Sequence, residues 1–361
     1  MYVIDENHRQ SKKPNPKKRK IQMAVVRTPV LNVNSFNKSF SGINAKVNPL
    51  TDADLKKANC FAPAVKHYVA TTDRWVQLAV MTALKSKKHL YVHGKAGSGK
   101  DALFQQVANQ FRIPFINLSF KEGVDVNEWI IRREIKAEQG GFSTKIEEGV
   151  LLKAIKGFTS EDGSKIPYMI LISDMDRALP SQLEVLRQAL QEGTSAYLIN
   201  PIDGEPINVL EGTLFVMTGN SGLDGDLRGN MVSNRLDASI LNRLVCIRAN
   251  NPTDEFFIKI LANEFPTLTK DQCQLLISCM NATSKMAEEL ALPIEISIRT
   301  TKAWARLAID SLECGLAKNF KQAIQFGFDG VIDGFFSNPV QAESIRGAID
   351  NIVGGSAEAV L

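Results

Sequence analysis

The sequence predicts an α/β protein in which a three-layer α/β/α core, built on a mostly parallel sheet, is followed by a small all-α domain. Three observations predict this fold. Strand-like apolar runs alternate with amphipathic helix-like segments up to about residue 250. From about residue 252 only helix-like segments follow. Between the first strand of this series and the next helix lies a glycine-rich stretch, GKAGSGK, at residues 94–100.

Each element of the core is predicted from its own pattern. An apolar stripe at helical spacing predicts a first helix in TTDRWVQLAVMTALKSKK. Apolar runs predict strands at HLYVHG, PFINLSF, PYMILIS, GTLFVMTGN and LVCIRA. Further helices are predicted at KDALFQQVANQF, VNEWIIRREI, EEGVLLKAIKGF and LPSQLEVLRQALQEG, the last ending at Gly193. Asp203-Gly204 predicts the turn of a hairpin within residues 194–212.

The chain is predicted to have four parts. Residues 1–48 are expected to form a disordered basic arm, because they are rich in Lys, Asn, Ser and Pro and lack sustained periodicity. Residues 49–250 form the α/β core, and residues 251–335 form a helical lid of four helices. One more helix and a tail are expected in residues 336–361.

The net charge of +4 is concentrated in the arm, since residues 1–20 hold seven basic and two acidic residues. The rest of the chain is nearly neutral, which argues against a folded part that binds nucleic acid through general positive charge. Five scattered cysteines without metal-ligand spacing and a polar N-terminus predict a cytoplasmic protein with reduced thiols. No run of 18 apolar residues is present, so no membrane segment is predicted.

The glycine-rich stretch has the spacing and context of a loop that binds nucleotide phosphates. Its glycines allow successive backbone N–H groups to converge on phosphate oxygens, and the N-terminus of the following helix adds partial positive charge. Lys100 is expected to reach the β- and γ-phosphates. The residue after this lysine is ordinarily Ser or Thr, and here it is an aspartate. The predicted phosphate-binding residues are Gly94, Lys95, Ala96, Gly97, Ser98, Gly99, Lys100 and Asp101.

A site of this kind also needs acidic groups at the end of a neighbouring strand, one near Mg²⁺ and one to orient water. The segment MILISDMDRAL at residues 169–179 is the candidate, and two registers are open. In one register Asp174 lies near the metal and Met175 takes the water-orienting position. In the other, which the end of the apolar run at Ile172 favours, Ser173 lies near the metal and Asp174 orients water.

The favoured register suggests that two metal-side groups have been exchanged. A carboxylate follows the lysine (Asp101) and a hydroxyl ends the strand (Ser173), which reverses the usual arrangement. Mg²⁺ accepts hard oxygen ligands of both kinds, so Asp101, Ser173 and Asp174 are the predicted metal-site residues. The alternative is a decayed site, in which Asp101 repels the triphosphate and nucleotide binds poorly.

The order of motifs resembles the MoxR-type branch of AAA+ ATPases, and within it the ATPase subunit of cobaltochelatase and its relatives. The resemblance covers roughly residues 60–315 and rests on the phosphate loop, EEGVLLKAI, SDMDRALPSQLEVLRQALQEG, FVMTGN, LDASILNRL and SIRTTKAWARLA. It implies an ATP- and Mg²⁺-dependent P-loop NTPase. In it, Asn220 polarises the attacking water, Arg243 reaches a neighbouring subunit's nucleotide, and Arg299 is a sensor on the lid. The family's Asp-Glu-x-Asn-Arg-Ala aligns its first two residues with Ser173 and Asp174.

The resemblance implies a homo-oligomeric ring, expected to be a hexamer, that remodels or activates a client protein through loops and the 194–212 hairpin. Two other functions are compatible with the sequence. A ring that binds nucleotide but hydrolyses it slowly is favoured by the departures at Asp101 and Ser173. A nucleic-acid motor tethered by the arm is suggested by the basic residues within 9–20. A dinucleotide-binding oxidoreductase is a poor fit, because GSGKDA lacks the third glycine.

Overall fold

The computed structural model of the chain describes the following residues: 47, 49–57, 60–71, 73–121, 123–138, 141–191, 193–222, 234, 236–290, 292, 296–336 and 338–355. The predicted arm, including the basic residues of 9–20, lies outside the described residues except for Val47.

Eleven strands occur in the described residues, with these bounds: β1 Leu90–His93, β2 Phe115–Ser119, β3 Ile131–Glu138, β4 Gly141–Glu148, β5 Phe158–Thr159, β6 Lys165–Ile166, β7 Met169–Ser173, β8 Tyr197–Ile199, β9 Pro206–Asn208, β10 Leu214–Gly219 and β11 Val245–Arg248. The α-helices have these bounds: α1 Asp52–Lys57, α2 Arg74–Met81, α3 Lys100–Gln110, α4 Val126–Ile130, α5 Val150–Ile155, α6 Pro180–Arg187, α7 Ala238–Leu241, α8 Asp254–Glu264, α9 Lys270–Glu289, α10 Ile298–Glu313, α11 Phe320–Val331 and α12 Pro339–Gly354.

A five-stranded parallel sheet forms the centre of the core, with strand order β11-β1-β10-β7-β2. Its inner strands are buried on both faces, as expected for parallel strands joined by crossover helices. Alternate residues of β7 point to different clusters: Ile170 and Ile172 to one face, Met169 and Leu171 to the face covered by α3. The predicted three-layer core is therefore confirmed.

One predicted helix is wrong over half its length. VNEWIIRREI is helical only through α4, and its second half belongs to β3, which pairs antiparallel with β4. The register sets Arg132 opposite Glu147 and Glu134 opposite Lys145. These opposite-charge pairs across two strands stabilise a hairpin that the local helical pattern does not reveal. The helix predicted to end at Gly193 also ends earlier, at Arg187.

The four helices predicted for the lid are present as α8 to α11 and share one apolar core. Trp304 is fully buried there, and its indole Nε1 donates to the Ile324 carbonyl at 2.7 Å. The predicted C-terminal helix is present as α12, and it packs into the same core through Ile345 and Ile349. Among the described residues, no helix combines the length and apolar character needed to cross a membrane.

Candidate functional site

The glycine-rich loop connects β1 to α3 with tight backbone geometry. Gly94 has a φ of 156°, and a Cβ there would lie 2.7 Å from the Ala249 carbonyl oxygen, so only glycine fits without displacement. The Lys100 ammonium is buried beneath the loop and donates to the carbonyl oxygens of Gly94 at 2.7 Å and Lys95 at 3.0 Å. This lysine therefore lies among the loop's own atoms.

The strand order brings the predicted polar residues together at the carboxyl edge of the sheet. Strand β10 lies between β1 and β7. Asn220 follows β10, the phosphate loop and Lys100 follow β1, and Asp174 follows β7. The Asn220 Oδ1 atom lies 3.4 Å from the Lys100 Nζ atom. This edge, where parallel strands end and helices begin, is the usual place for ligands in open α/β sheets.

Asp174 leaves the end of β7 in a left-handed backbone conformation, with a φ of 58°. Such a conformation is uncommon for a residue other than glycine, although aspartate tolerates it better than most, and it is often found at functional sites. The Asp174 carboxylate accepts a hydrogen bond from the Ser119 hydroxyl at 3.1 Å. Met175 is fully buried in the core, so it offers no group to orient water.

The two residues of the predicted exchange have different surroundings. The Asp101 carboxylate accepts a hydrogen bond from the Thr218 hydroxyl on β10 at 2.6 Å. The Ser173 hydroxyl, at the end of β7, donates to the Asn117 side-chain oxygen on β2 at 3.1 Å. Both hydroxyls occupy strand positions on the face covered by α3, by the alternation of their strands.

A buried carboxylate holds the loop that carries Asn220. Asp176 is 2% exposed, and its Oδ2 accepts from the backbone N–H groups of Asn220 and Ser221 and from the Ser221 hydroxyl, at 2.9, 3.1 and 2.9 Å. The Tyr91 hydroxyl donates to the Ser221 carbonyl at 2.6 Å. The Asp176 side chain therefore fixes the position of Asn220 through the backbone of its loop.

The lid contacts the phosphate loop and lines the site. A Cβ at Gly97 would lie 3.3 Å from both the Ser297 Cβ and the Ile298 Cγ2 atoms, so the loop touches the beginning of α10. This contact places Arg299, in the first turn of α10, at the pocket wall. One turn further on, Lys302 also lines the pocket and pairs with Glu264 of α8 at 2.6 Å.

These residues enclose a cavity of about 430 Å³, a typical size for a small-molecule site. Five basic side chains line it against two carboxylates, those of Asp101 and Asp174; the basic residues are Lys66, Lys100, Arg177, Arg299 and Lys302. One part of the wall is apolar and includes Val65, Tyr68, Val69, Phe256, Ile260 and Ile298. The cavity is thus suited to an anion attached to an apolar ring system.

Most of the predicted site residues line this cavity, namely Ala96, Gly97, Gly99, Lys100, Asp101, Asp174, Asn220 and Arg299. The predicted residues that do not line it are Gly94, Lys95, Ser98, Ser173 and Arg243. Arg243 donates instead to the carbonyl oxygen of Ser239. A second candidate for its role, Arg235, lies outside the described residues. No cluster of three or more His, Cys, Asp or Glu side chains that could hold a metal occurs in the described part of the chain.

Several lining residues were missed by sequence reasoning. The segment 65–69, Thr218, and the lid residues Phe256, Ile260 and Lys302 all contribute to the cavity. The segment 65–69, Phe256 and Ile260 lie outside the quoted motifs and reach the site through packing of the N-terminal segment and the lid. Thr218 and Lys302 lie inside the motifs FVMTGN and SIRTTKAWARLA, but neither was predicted as a site residue.

His93, the last residue of β1, gives the site a pH-dependent stability. Burial lowers its pKa below the ordinary value of 6.5, and the charges of Arg248 and Lys100 lower it further. The unfolded chain therefore binds a proton near pH 6.5 that the folded chain does not, so the free energy of unfolding falls as the pH drops below about 6.5. We expect His93→Gln to lose less stability than the unmodified chain between pH 7.5 and 5.5 in urea titrations. Equal losses would contradict this role.

The parallel sheet, the glycine loop that leads into α3 and the helical lid over the pocket together define an α/β P-loop NTPase fold. Residues 90–244, just under half of the chain, match the model of a protein family described as the ATPase family associated with various cellular activities (AAA). The match supports an ATP-binding AAA+ ATPase. No curated protein sequence matches the chain significantly.

Proposed function

We propose that this protein is a ring-forming AAA+ ATPase of the MoxR type that binds and hydrolyses ATP to remodel or activate a partner protein. The observation that carries the proposal is the pocket at the carboxyl edge of the sheet. There Lys100, Asn220 and Asp174 follow three adjacent strands, and basic side chains outnumber carboxylates five to two. This excess of positive charge suits a triphosphate.

Each part of the pocket has a task in this proposal. Backbone N–H groups of the loop and the N-terminus of α3 bind the phosphates, with Lys100 exchanging its loop carbonyls for phosphate oxygens. The apolar wall, which includes Tyr68 and Phe256, receives the base. Asp174 and Asn220 orient the attacking water, and Arg299 contacts the phosphates from the lid. Mg²⁺, when bound, neutralises phosphate charge, and the carboxylates of Asp101 and Asp174 are the candidate protein ligands.

Arg243 is proposed to act on the nucleotide of a neighbouring subunit. Arg243 lies two residues before Val245, the first residue of β11. Val245 pairs with Leu90 at the beginning of β1. The phosphate loop follows the other end of β1, roughly 13 Å away for four residues of strand. Arg243 therefore lies toward the edge of the sheet opposite its own pocket, which supports a role in trans within a ring.

Two projecting hairpins are proposed to contact the partner protein. The hairpin formed by β8 and β9 exposes Ile199 and Ile202, and the hairpin formed by β3 and β4 exposes 71% of Ile135 and 53% of Ile146. Exposed branched apolar side chains on hairpins are suited to transient protein contacts. A client, a hexameric ring and a cytoplasmic location stay predictions, as does any role of residues 9–20 in binding nucleic acid.

Steady-state phosphate release in the presence of ATP and Mg²⁺ tests the proposed activity. We expect Lys100→Ala to lower turnover at least about 100-fold, because a buried cationic donor to the phosphates is lost. Lys85→Ala is the matched control, since the Lys85 side chain is exposed and does not line the pocket. Turnover that survives in Lys100→Ala would refute the site. Nucleotide binding without turnover in the unmodified chain would instead favour the slow or inactive ring.

A further inference from the structure

The hydroxyl that contacts Asp101 comes from Thr218 on β10. Thr218 is 1% exposed, lines the pocket, and donates to the Asp101 Oδ1 atom at 2.6 Å. Ser173 does not line the pocket, and its hydroxyl is directed to Asn117 on the outer strand β2. Of the Thr218 and Ser173 hydroxyls, the one on β10 is therefore the one that meets the carboxylate after the lysine.

This contact follows from the topology of the core. Thr218 pairs with Val92 in the parallel register of β10 and β1, and β1 continues into the phosphate loop. Asp101 is the second residue of α3, and its side chain contacts β10, the strand next to β1. A hydroxyl has a single proton, and the Thr218 hydroxyl uses it to donate a hydrogen bond to the Asp101 carboxylate. Among the described residues, the other oxygen of Asp101, Oδ2, has no hydrogen-bond partner.

We propose that Asp101, oriented by Thr218, is the protein ligand on the phosphate-loop side for the divalent cation that accompanies the nucleotide, and that Ser173 is not part of this site. The inference rests on the proposed nucleotide-binding function. Thr218 acts as a positioning residue, because it holds the carboxylate with one oxygen turned away from the hydrogen bond. An ion such as Mg²⁺ takes one or two carboxylates and completes its shell with phosphate oxygens and water, which matches the carboxylates of Asp101 and Asp174 at this pocket.

A carboxylate at this position makes nucleotide binding depend strongly on the cation. The Ser or Thr that ordinarily follows the lysine is neutral. Asp101 instead places a negative charge at the first turn of α3, where the phosphates are expected. Without a cation the carboxylate and the phosphates repel each other, and with a cation between them both are satisfied. The cation and the nucleotide should therefore bind with strong positive coupling, and this coupling should weaken when the charge of Asp101 is removed.

The test measures the affinity of the full-length protein for a fluorescent ATP analogue in EDTA and across a Mg²⁺ titration. We expect Asp101→Asn to bind more tightly than the unmodified chain in EDTA and to gain less from Mg²⁺. We expect Thr218→Val, which keeps the side-chain volume, to need about tenfold more Mg²⁺ for half-saturation, as for the loss of a charge-assisted hydrogen bond. Thr218→Ser keeps the hydroxyl and should behave like the unmodified chain.

Ser173→Ala is the matched control, and we expect it to leave the Mg²⁺ dependence unchanged. A shift in Ser173→Ala without one in Thr218→Val would overturn the inference and restore the exchange between Asp101 and Ser173. Equal Mg²⁺ dependence in all variants would remove Asp101 from the metal site. If Thr218→Val is unfolded by its melting curve, the comparison of Asp101→Asn with Ser173→Ala decides. Failure of the unmodified chain to bind nucleotide at any Mg²⁺ concentration would refute the proposed function itself.

Discussion

Replacing Arg243 by alanine should lower ATP turnover by about 10³- to 10⁵-fold while leaving nucleotide affinity nearly unchanged. The expected effect is this large because a guanidinium supplied to the γ-phosphate acts on charge that develops in the transition state. Arg243 is partly buried, donates to the Ser239 carbonyl oxygen and does not line its own pocket. Its removal should therefore spare the binding of nucleotide within the same subunit.

A mixing experiment separates action in trans from a structural role. Arg243→Ala subunits keep an intact pocket, and Lys100→Ala subunits keep an intact Arg243. Neither protein alone should hydrolyse ATP, and a mixture should recover activity wherever an intact pocket faces an intact arginine. Arg112→Ala, which removes an exposed arginine paired with Asp52, is the control and should keep full turnover. A mixture that stays inactive, or full turnover in Arg243→Ala alone, would contradict the proposed role.

Replacing Asp176 by alanine should lower the free energy of unfolding by about 3 kcal/mol and also abolish measurable ATP turnover. The change leaves two backbone N–H groups and one hydroxyl of the Asn220 loop without their acceptor. The Asp176 Oδ1 atom is buried without a hydrogen-bond partner among the described residues, which is unfavourable in the folded chain. Because the substitution removes this atom as well, part of the cost is offset. Urea unfolding and phosphate release below the melting temperature measure the two effects.

Two variants separate the positioning of Asn220 from a general loss of stability. Asp176→Asn keeps one acceptor oxygen, so it should lose about 1–2 kcal/mol and retain part of the turnover. Asp54→Ala removes another buried carboxylate, which accepts from Thr51, Ser160 and Glu161 and does not line the pocket. It should be destabilised to a similar degree with normal turnover at a temperature where it is folded. Normal turnover in Asp176→Ala would contradict the positioning role.

Much of the fold could be predicted because its signals are local. The strands of the central sheet are short apolar runs, and the phosphate loop is a fixed spacing of glycines and a lysine. The hairpin of β3 and β4 was missed because its stability comes from pairing across strands, such as Glu134 with Lys145, and not from the pattern of one segment. The end of α6 was predicted at Gly193, because glycine is a local signal for a helix end, whereas the helix ends at Arg187.

The sequence by itself determined the alternation of strands and helices, the place of Lys100 and Asp101 after the glycine-rich loop, and the place of Asp174 at the end of a strand. These features are set by neighbouring residues, whose preferences are expressed wherever the segment lies. Only the tertiary structure decided which hydroxyl meets Asp101, which carboxylate holds Asn220 and which lid residues close the pocket. Thr218 and Asp101 are 117 residues apart, and they meet because β10 lies beside β1. Strand order is fixed by the packing of the whole core, which no local pattern records.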